Sequence, residues 1–246
     1  GSLVMTHADI YLANEKAQSI ALTLAKDTNK NVVTNVLTNS CIEANGSMTV
    51  AGNLDMKGGS HLHLWDASTK PKAMGLTVKG DLTMSGKNTN QEESLYLTGK
   101  LSAGSLSMSN ASILLENIAA PQSITLTLAK DAAKQPVTNT LSNSSIVADG
   151  SMSVAGGLTM TDSSIKLQDT VDVTNPKDKA KPMGLTVKGA LSISDEEKDD
   201  AAELDITGKL SAASLTLSNA EVSLLNAAAP QSITLTQAKD ADKQSV

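Results

Sequence analysis

Short segments of alternating apolar and polar residues recur along most of the chain. Between Cys41 and Leu115 they read CIEA, SMTV, NLDM, HLHLW, LTV, DLTM, LYL, KLSA, SLSM and SILL. Alternation at period two directs every second side chain to the same face, so each segment is predicted to be a β-strand with one face buried. No stretch shows the longer apolar period of an amphipathic helix. The pattern therefore predicts an all-β protein.

Glycines separate these strands at nearly regular intervals. Gly46, Gly52 and Gly58 lie six residues apart, and we expect them at corners because glycine tolerates φ > 0. Corners this short do not suit antiparallel hairpins of useful length, but they can join the sides of a coil. Three sides with their corners amount to about 20 residues, one coil of a parallel β-solenoid. The prediction is a right-handed parallel β-helix of about eleven or twelve coils.

A longer repeat is superimposed on this period. APQSITLT occurs at both 120–127 and 229–236, and three further motifs, GSMTVAG, MGLTVKG and LTGKLSA, return after 104 to 109 residues. The spread comes from a longer polar connection in the second copy, which marks a surface loop. We predict one continuous solenoid over 1–246, an excerpt of a longer polypeptide, with units 3–105, 106–214 and 215–246, the last of them truncated.

The repeated octapeptide is interpreted as a packing requirement. Alternation places Ile124 and Leu126 inward and Thr125 outward. Because a solenoid coil contacts only the coils above and below it, each interior position needs neighbours of matched size.

Composition narrows the function. The chain has no Phe, one Trp and two Tyr, and all 20 of its basic residues are Lys, so any core is aliphatic. A net charge of −6 without Arg gives little basis for binding nucleic acid. The single Cys41 excludes an intramolecular disulfide and suggests a packed thiol. No apolar run approaches the roughly 20 residues of a membrane span, so no membrane insertion of this segment is expected.

The segment HLHLWD contains the first candidate site. Alternation places His61, His63 and Trp65 on one face and the two leucines on the other. Such a strip is able to stack on a sugar or, with a third ligand, to hold a transition metal. The second copy has Ser, Lys and Gln at these places, so the strip is either incidental surface variation or a function of the first unit. The third histidine, His7, lies elsewhere in the repeat.

The segment DEEKDD contains the second candidate. Asp195, Glu196, Asp199 and Asp200 offer the oxygen ligands that Ca²⁺ prefers, and a solvated loop is the alternative interpretation. No P-loop, Gly-x-Ser-x-Gly or His-Glu-x-x-His motif occurs, and the carboxylates are scattered along the sequence. We therefore expect no catalysis and no cofactor.

Stretches such as NTLSNSSIVADGSMSVAGGLTM and TGKLSAGSLSMSNASILL resemble the Gly-, Ser-, Thr- and Asn-rich coils of bacterial autotransporter passengers and related secreted adhesins. This resemblance covers nearly the whole chain and is one of texture and repeat style. It implies a right-handed β-helix displayed at the bacterial cell surface or secreted. The strand spacing is also similar to that of bactofilins, the cytoskeletal β-helices of bacteria.

These features predict a non-catalytic structural or adhesive segment. Its partners would be a host glycan or matrix protein, or other copies through lateral self-association. Contacts are expected from outward Ser, Thr, Asn and Lys and from the loops Asp66–Met74, Gly86–Ser94 and Asp169–Met183. The alternatives are a carbohydrate-active β-helix enzyme, which needs clustered carboxylates, and a polymer-forming scaffold of the bactofilin kind.

Overall fold

The computed structural model is all β in every residue that it describes: 2–12, 17–66, 74–87, 92–116, 122–169, 181–196, 202–225 and 231–236. Within these ranges no helix occurs that is long and apolar enough to cross a membrane. The strands are β1 (Val4–Thr6), β2 (Asp9–Leu12), β3 (Gln18–Leu22), β4 (Thr34–Thr38), β5 (Cys41–Val50), β6 (Asn53–Lys57), β7 (His61–Trp65), β8 (Leu76–Ser85), β9 (Glu93–Leu97), β10 (Leu101–Ser109), β11 (Ala111–Leu115), β12 (Gln122–Leu126), β13 (Thr138–Ser142), β14 (Ser145–Ala148), β15 (Gly150–Val154), β16 (Gly157–Thr161), β17 (Ser164–Leu167), β18 (Leu185–Ser194), β19 (Ala202–Ile206), β20 (Lys209–Ser218), β21 (Ala220–Leu224) and β22 (Ser232–Leu235).

The strands pair in parallel and form three ladders. Ladder 1 contains β1, β4, β6, β13, β16 and the second halves of β8, β10, β18 and β20. Ladder 2 contains β2, the first half of β5, β7, β9, β11, β14, β17, β19 and β21. Ladder 3 contains β3, β12, β15, β22 and the remaining halves of the five long strands. This is the pairing pattern of a β-solenoid-like fold, as the alternation predicts.

The layers of this stack differ in length. Paired residues on successive layers are as close as 18 positions, between Glu93 and Ala111, and as far apart as 39, between Ser164 and Glu203. The uniform period of about 20 residues therefore holds only for the shorter layers. The described residues form nine layers, not eleven or twelve, because polar excursions between strands lengthen the others.

The core is a column of aliphatic side chains running through the stack. On ladder 2, Leu62 lies in register with Ile42 below it and Leu95 above it, and each is at most 1% exposed. In the repeated octapeptide, Ile124 and Leu126 are 0% and 1% exposed, whereas Thr125 faces outward and is only partly buried. The predicted inward and outward faces are confirmed.

The corners between ladder 1 and ladder 2 use the left-handed backbone region. Gly58 has a φ of 74° there, as expected, but most layers use asparagine, which tolerates this region better than other residues with a Cβ. The corner residues with positive φ that are not glycine are His7, Asn39, Asn110, Asn143, Asp162 and Asn219.

At Gly46 the expectation of positive φ is wrong, because Gly58 and Gly59 are the only described glycines with positive φ. Glycine is required there by close approach between layers, because a Cβ would lie 1.5 Å from the carbonyl oxygen of Gln18. The equivalent Gly150 would place its Cβ 1.9 Å from the carbonyl oxygen of Gln122.

One carboxylate is buried at the corner between ladders 1 and 2. Glu93 is 0% exposed and accepts hydrogen bonds from the backbone amides of Gly59, at 2.8 Å, and Ser60. Burial raises the pKa of Glu93 above its ordinary value, and the two amide hydrogen bonds oppose this shift only in part. Glu93 thus satisfies two amides of the corner at an electrostatic cost.

We expect Leu126→Asp to lower the free energy of unfolding by about 3 to 5 kcal/mol, because it buries an unpaired charge between layers. The matched variant Thr125→Asp should cost far less, because its side chain faces outward. Urea denaturation of both variants measures the difference. Equal tolerance of the two substitutions would contradict the assignment of faces.

The raised pKa of Glu93 sets a pH dependence of stability. A carboxyl whose folded pKa lies above its unfolded value of 4.5 stabilises the fold most below that value, and this contribution is lost as pH rises through the folded pKa. We therefore expect Glu93→Gln to lessen the fall in unfolding free energy between about pH 4 and pH 7.

Asp27→Asn is the control for this titration, because hydrogen bonds led by that from the Asn31 amide lower the pKa of Asp27. Its contribution is present above the unfolded value of 3.8 and is lost as pH falls. The two variants should change the pH profile in opposite directions, and the same direction in both would refute the role given to Glu93.

Candidate binding surface

Ladder 2 contains every aromatic residue of the chain. Tyr11 lies in β2, Trp65 in β7 and Tyr96 in β9. All three alternate with inward aliphatic residues and so face outward. Tyr11 is 60% exposed, whereas Trp65 and Tyr96 are partly buried. One side of the stack thus carries all of the aromatic surface that this sequence provides.

The alternation predicted for β7 is confirmed. Leu62 and Leu64 are at most 1% exposed and point into the core. His61 is exposed on the other face, and His63 and Trp65 are partly buried there. The indole is therefore less accessible than a fully exposed strip would make it.

The partial burial of His63 and Trp65 comes from contact between rings. The centroid of His63 lies 4.4 Å from that of Trp65, with 40° between the ring planes. His63 also meets Tyr96 edge-on, with centroids 4.4 Å apart and planes at 86°. We call His63, Trp65 and Tyr96 the aromatic cluster.

Tyr96 is the member of the cluster that sequence analysis missed. Alternation within LYL placed its ring outward, but its position beside His63 depends on the register between β7 and β9, which pairs residues 33 apart. Loops of unequal length separate the layers, so no fixed period reveals this pairing.

The aromatic cluster is uncharged near neutral pH. Burial lowers the pKa of His63, and the neighbouring Glu43, in register on β5, opposes this shift more weakly. Burial, followed by the charges of Glu116 and Asp149, raises the pKa of Tyr96. A neutral imidazole beside two neutral rings favours stacking and hydrogen bonding over charge pairing.

His61 and His7 lie apart from the ring contacts. The Nδ1 atom of His61 shares a hydrogen bond with the Ser94 hydroxyl one layer away, at 2.5 Å. His7 occupies a left-handed corner with a φ of 51°. The structure therefore places two of the three predicted residues, His63 and Trp65, in one cluster.

Cys41 faces outward beside this surface. Its Sγ lies 3.8 Å from a carboxylate oxygen of Glu43. Burial and the charges of Glu43 and Asp9 raise the pKa of the thiol, which keeps it protonated and poorly nucleophilic. This agrees with the interpretation of Cys41 as a packing residue.

The acidic segment is described only in part. Asp195 is 5% exposed, and the amide of Glu196 donates to the Asp162 carboxylate at 2.8 Å. Asp199 and Asp200 lie outside the described residues. Among the residues that the structure describes, no group of three or more His, Cys, Asp or Glu side chains is arranged to hold a metal ion.

A polar groove of about 630 Å³ runs along the corner between ladders 1 and 2. Serine and asparagine side chains form its floor, among them Asn143, Ser144 and Ser163. Four carboxylates from separate layers line it, namely Glu92, Asp162, Asp195 and Glu203. We call it the acidic groove.

Sequence analysis missed the acidic groove because its carboxylates are scattered along the chain and meet only through layer stacking. The neighbouring charge of Asp205, followed by burial, raises the pKa of Glu203. Within the described lining no Lys or His side chain balances these acids.

Comparison with known proteins adds no relative to these observations. No protein-family model, curated protein or solved structure matches the chain. Its function is therefore argued from the two surfaces alone.

Proposed function

We propose that this chain is a non-catalytic structural and adhesive segment, displayed at a bacterial surface or secreted, whose stack is a right-handed parallel β-helix. The observation that carries the proposal is the concentration of all aromatic residues on the outward face of ladder 2. A purely structural stack needs no such concentration, because the outward positions of the other ladders use Ser, Thr, Asn and Lys.

The hand and the location have separate supports. Parallel strands joined by crossover connections are right-handed in the great majority of known cases. The Gly-, Ser- and Thr-rich texture of the coils resembles that of secreted bacterial adhesins. A single cysteine whose thiol has a raised pKa is compatible with an oxidising exterior, because this chain forms no internal disulfide that export would have to complete.

The chemistry of the aromatic cluster favours a neutral sugar as the contacted group. His63 is uncharged near neutral pH, and the carboxylates of Glu43 and Asp9 stand close by on the same ladder. This surface would repel an acidic glycan. The rings of Trp65 and Tyr96 offer apolar surface to a pyranose, and Ser94 offers a hydroxyl.

Affinity at one such site would be low, because the rings are partly buried by one another. Adhesion would then depend on many copies acting together, since linked weak contacts gain from high effective concentration. A matrix protein or lateral self-association would instead use the polar outward residues of all three ladders.

We expect the triple variant His61→Ser, His63→Lys and Trp65→Gln to reduce binding to arrayed neutral glycans by at least about tenfold, because it removes two of the three clustered rings. The fold should persist, since the second unit carries these residues at the aligned positions. Glycan arrays with multivalent protein measure the loss, and light scattering measures self-association.

Tyr96→Phe and Tyr96→Ser form the matched pair for this experiment. Phenylalanine keeps the ring against His63, so Tyr96→Phe should retain binding, whereas Tyr96→Ser should weaken it. Full glycan binding by the triple variant would rule out the aromatic cluster as the contact. Loss of self-association in the same variant would point to contacts between copies instead.

The acidic groove favours a second candidate, a carbohydrate-active enzyme. Glycoside hydrolysis uses two carboxyl groups, one of which must hold a proton near the working pH. Glu203 has the raised pKa that such an acid requires, and Asp162 and Asp195 are the carboxylates that line the same groove.

If the acidic groove is catalytic, the unmodified protein should release reducing ends from a polysaccharide. Glu203→Gln and Asp162→Asn should each abolish that release, while Glu116→Gln, an exposed carboxylate outside the groove, should leave it unchanged. Reducing-sugar assays over a polysaccharide panel provide the measurement. Absence of turnover by the unmodified protein would leave the adhesive proposal as the explanation.

A further inference from the structure

The last layer of the stack exposes side chains that belong to a core. This layer consists of the second half of β20 with β21 and β22. Leu217, Ile233 and Leu235 in it are 45%, 49% and 54% exposed. Val222 and Leu224 are only partly buried. We call these five side chains the end face.

The same layer is fully buried where it occurs inside the stack. The second unit carries the aligned residues 109 positions earlier. Met108, Ile124 and Leu126 are the counterparts of the three exposed residues, and each is at most 1% exposed. The end face is thus a core surface without its next layer.

The second unit shows what covers such a surface. The layer formed by β13, β14 and β15 lies directly above it. Leu141 is in register with Met108, Ile146 with Ile113 and Met152 with Ile124.

The covering layer also contributes polar side chains. Asn139 is 0% exposed and accepts a hydrogen bond from the Leu106 amide at 2.8 Å. Ser144 accepts one from the Ala111 amide at 3.2 Å.

The first unit repeats this arrangement. Asn35 accepts from the Leu3 amide at 2.9 Å, and Ser40 accepts from the Ala8 amide at 3.2 Å. The covering layer therefore has a defined chemistry: one Asn, one Ser and inward aliphatic residues between them.

We infer that the end face is a docking surface for one further layer of this repeat, with the pattern of Thr138–Val154. The contact would continue all three ladders in parallel register and bury the five aliphatic side chains. It is independent of the adhesive and enzymatic proposals, because it uses inward residues and strand edges only.

A second copy of the chain is a poorer occupant for this surface. Its first layer, β1 to β3, aligns with the same part of the repeat as the last layer itself. In the described chain, layers of this kind never pair with each other: β1 and β2 pair with β4 and β5, and β21 pairs with β19. The first layer also has no counterpart of Asn139, since its strand β1 begins VMT.

The sequence indicates where a further layer can be attached. QAKDADKQSV at 237–246 aligns with LAKDAAKQPV at 128–137, which directly precedes β13. An appended copy of 138–154 placed after Val246 would therefore have the same connection as its counterpart in the second unit.

The test compares the full chain, the full chain with this appended copy, and a control whose appended copy carries Leu141→Asp, Ile146→Asp and Met152→Asp. Hydrogen exchange would be followed at the amides of β21 and β22. We expect the unmodified extension to slow their exchange at least about tenfold, because a covered layer opens less often. The control should leave exchange as it is in the full chain.

Sedimentation velocity at several concentrations accompanies the exchange measurement. Monomeric behaviour together with protection only in the unmodified extension supports the inference. Protection of β22 in the unextended chain that rises with concentration would overturn it in favour of a second copy. Equal exchange in all three proteins, or equal protection by the control, would overturn it as well.

Discussion

Registered stacking of inward side chains is the constraint on which this structure depends. Every interior residue contacts its counterparts one layer above and one layer below, as Leu62 does with Ile42 and Leu95. A column of constant width has room for Leu, Ile, Val, Met and Ala but not for rings, which accounts for the absence of Phe. The same closeness of layers demands glycine at Gly46 and Gly150. Identity between the two octapeptides is a consequence of this geometry.

Because the interior is fixed, chemical variety is confined to outward positions and to the corners. The aromatic cluster and the acidic groove both combine side chains from different layers. Neither recurs in full in the next unit, since Lys166 occupies the position aligned with His63. The repeat thus preserves the stack while each unit presents its own surface.

The sequence predicted the local structure of this protein well and its longer-range pairing less well. Alternation identified the strands and their buried faces, because period two is a property of the extended backbone. It did not reveal the register between layers, because the excursions that set it differ in length and carry no periodic signal. Tyr96 beside His63 and Glu203 beside Asp162 were therefore beyond sequence reasoning. Glycine at Gly46 was correctly placed at a corner but for the wrong reason, since backbone proximity is invisible without the fold.

Nearest-neighbour pairing also determines how the protein would respond to mechanical load. The first and last described strands belong to opposite ends of the stack, so tension between the termini acts on the terminal layers first. Each layer is held only by its neighbours, and layers of 18 to 39 residues would detach one at a time. At about 3.4 Å per extended residue, each step would release roughly 60 to 130 Å of chain. A tether built this way would lengthen in increments under pulling and dissipate force before the remaining layers lose their structure.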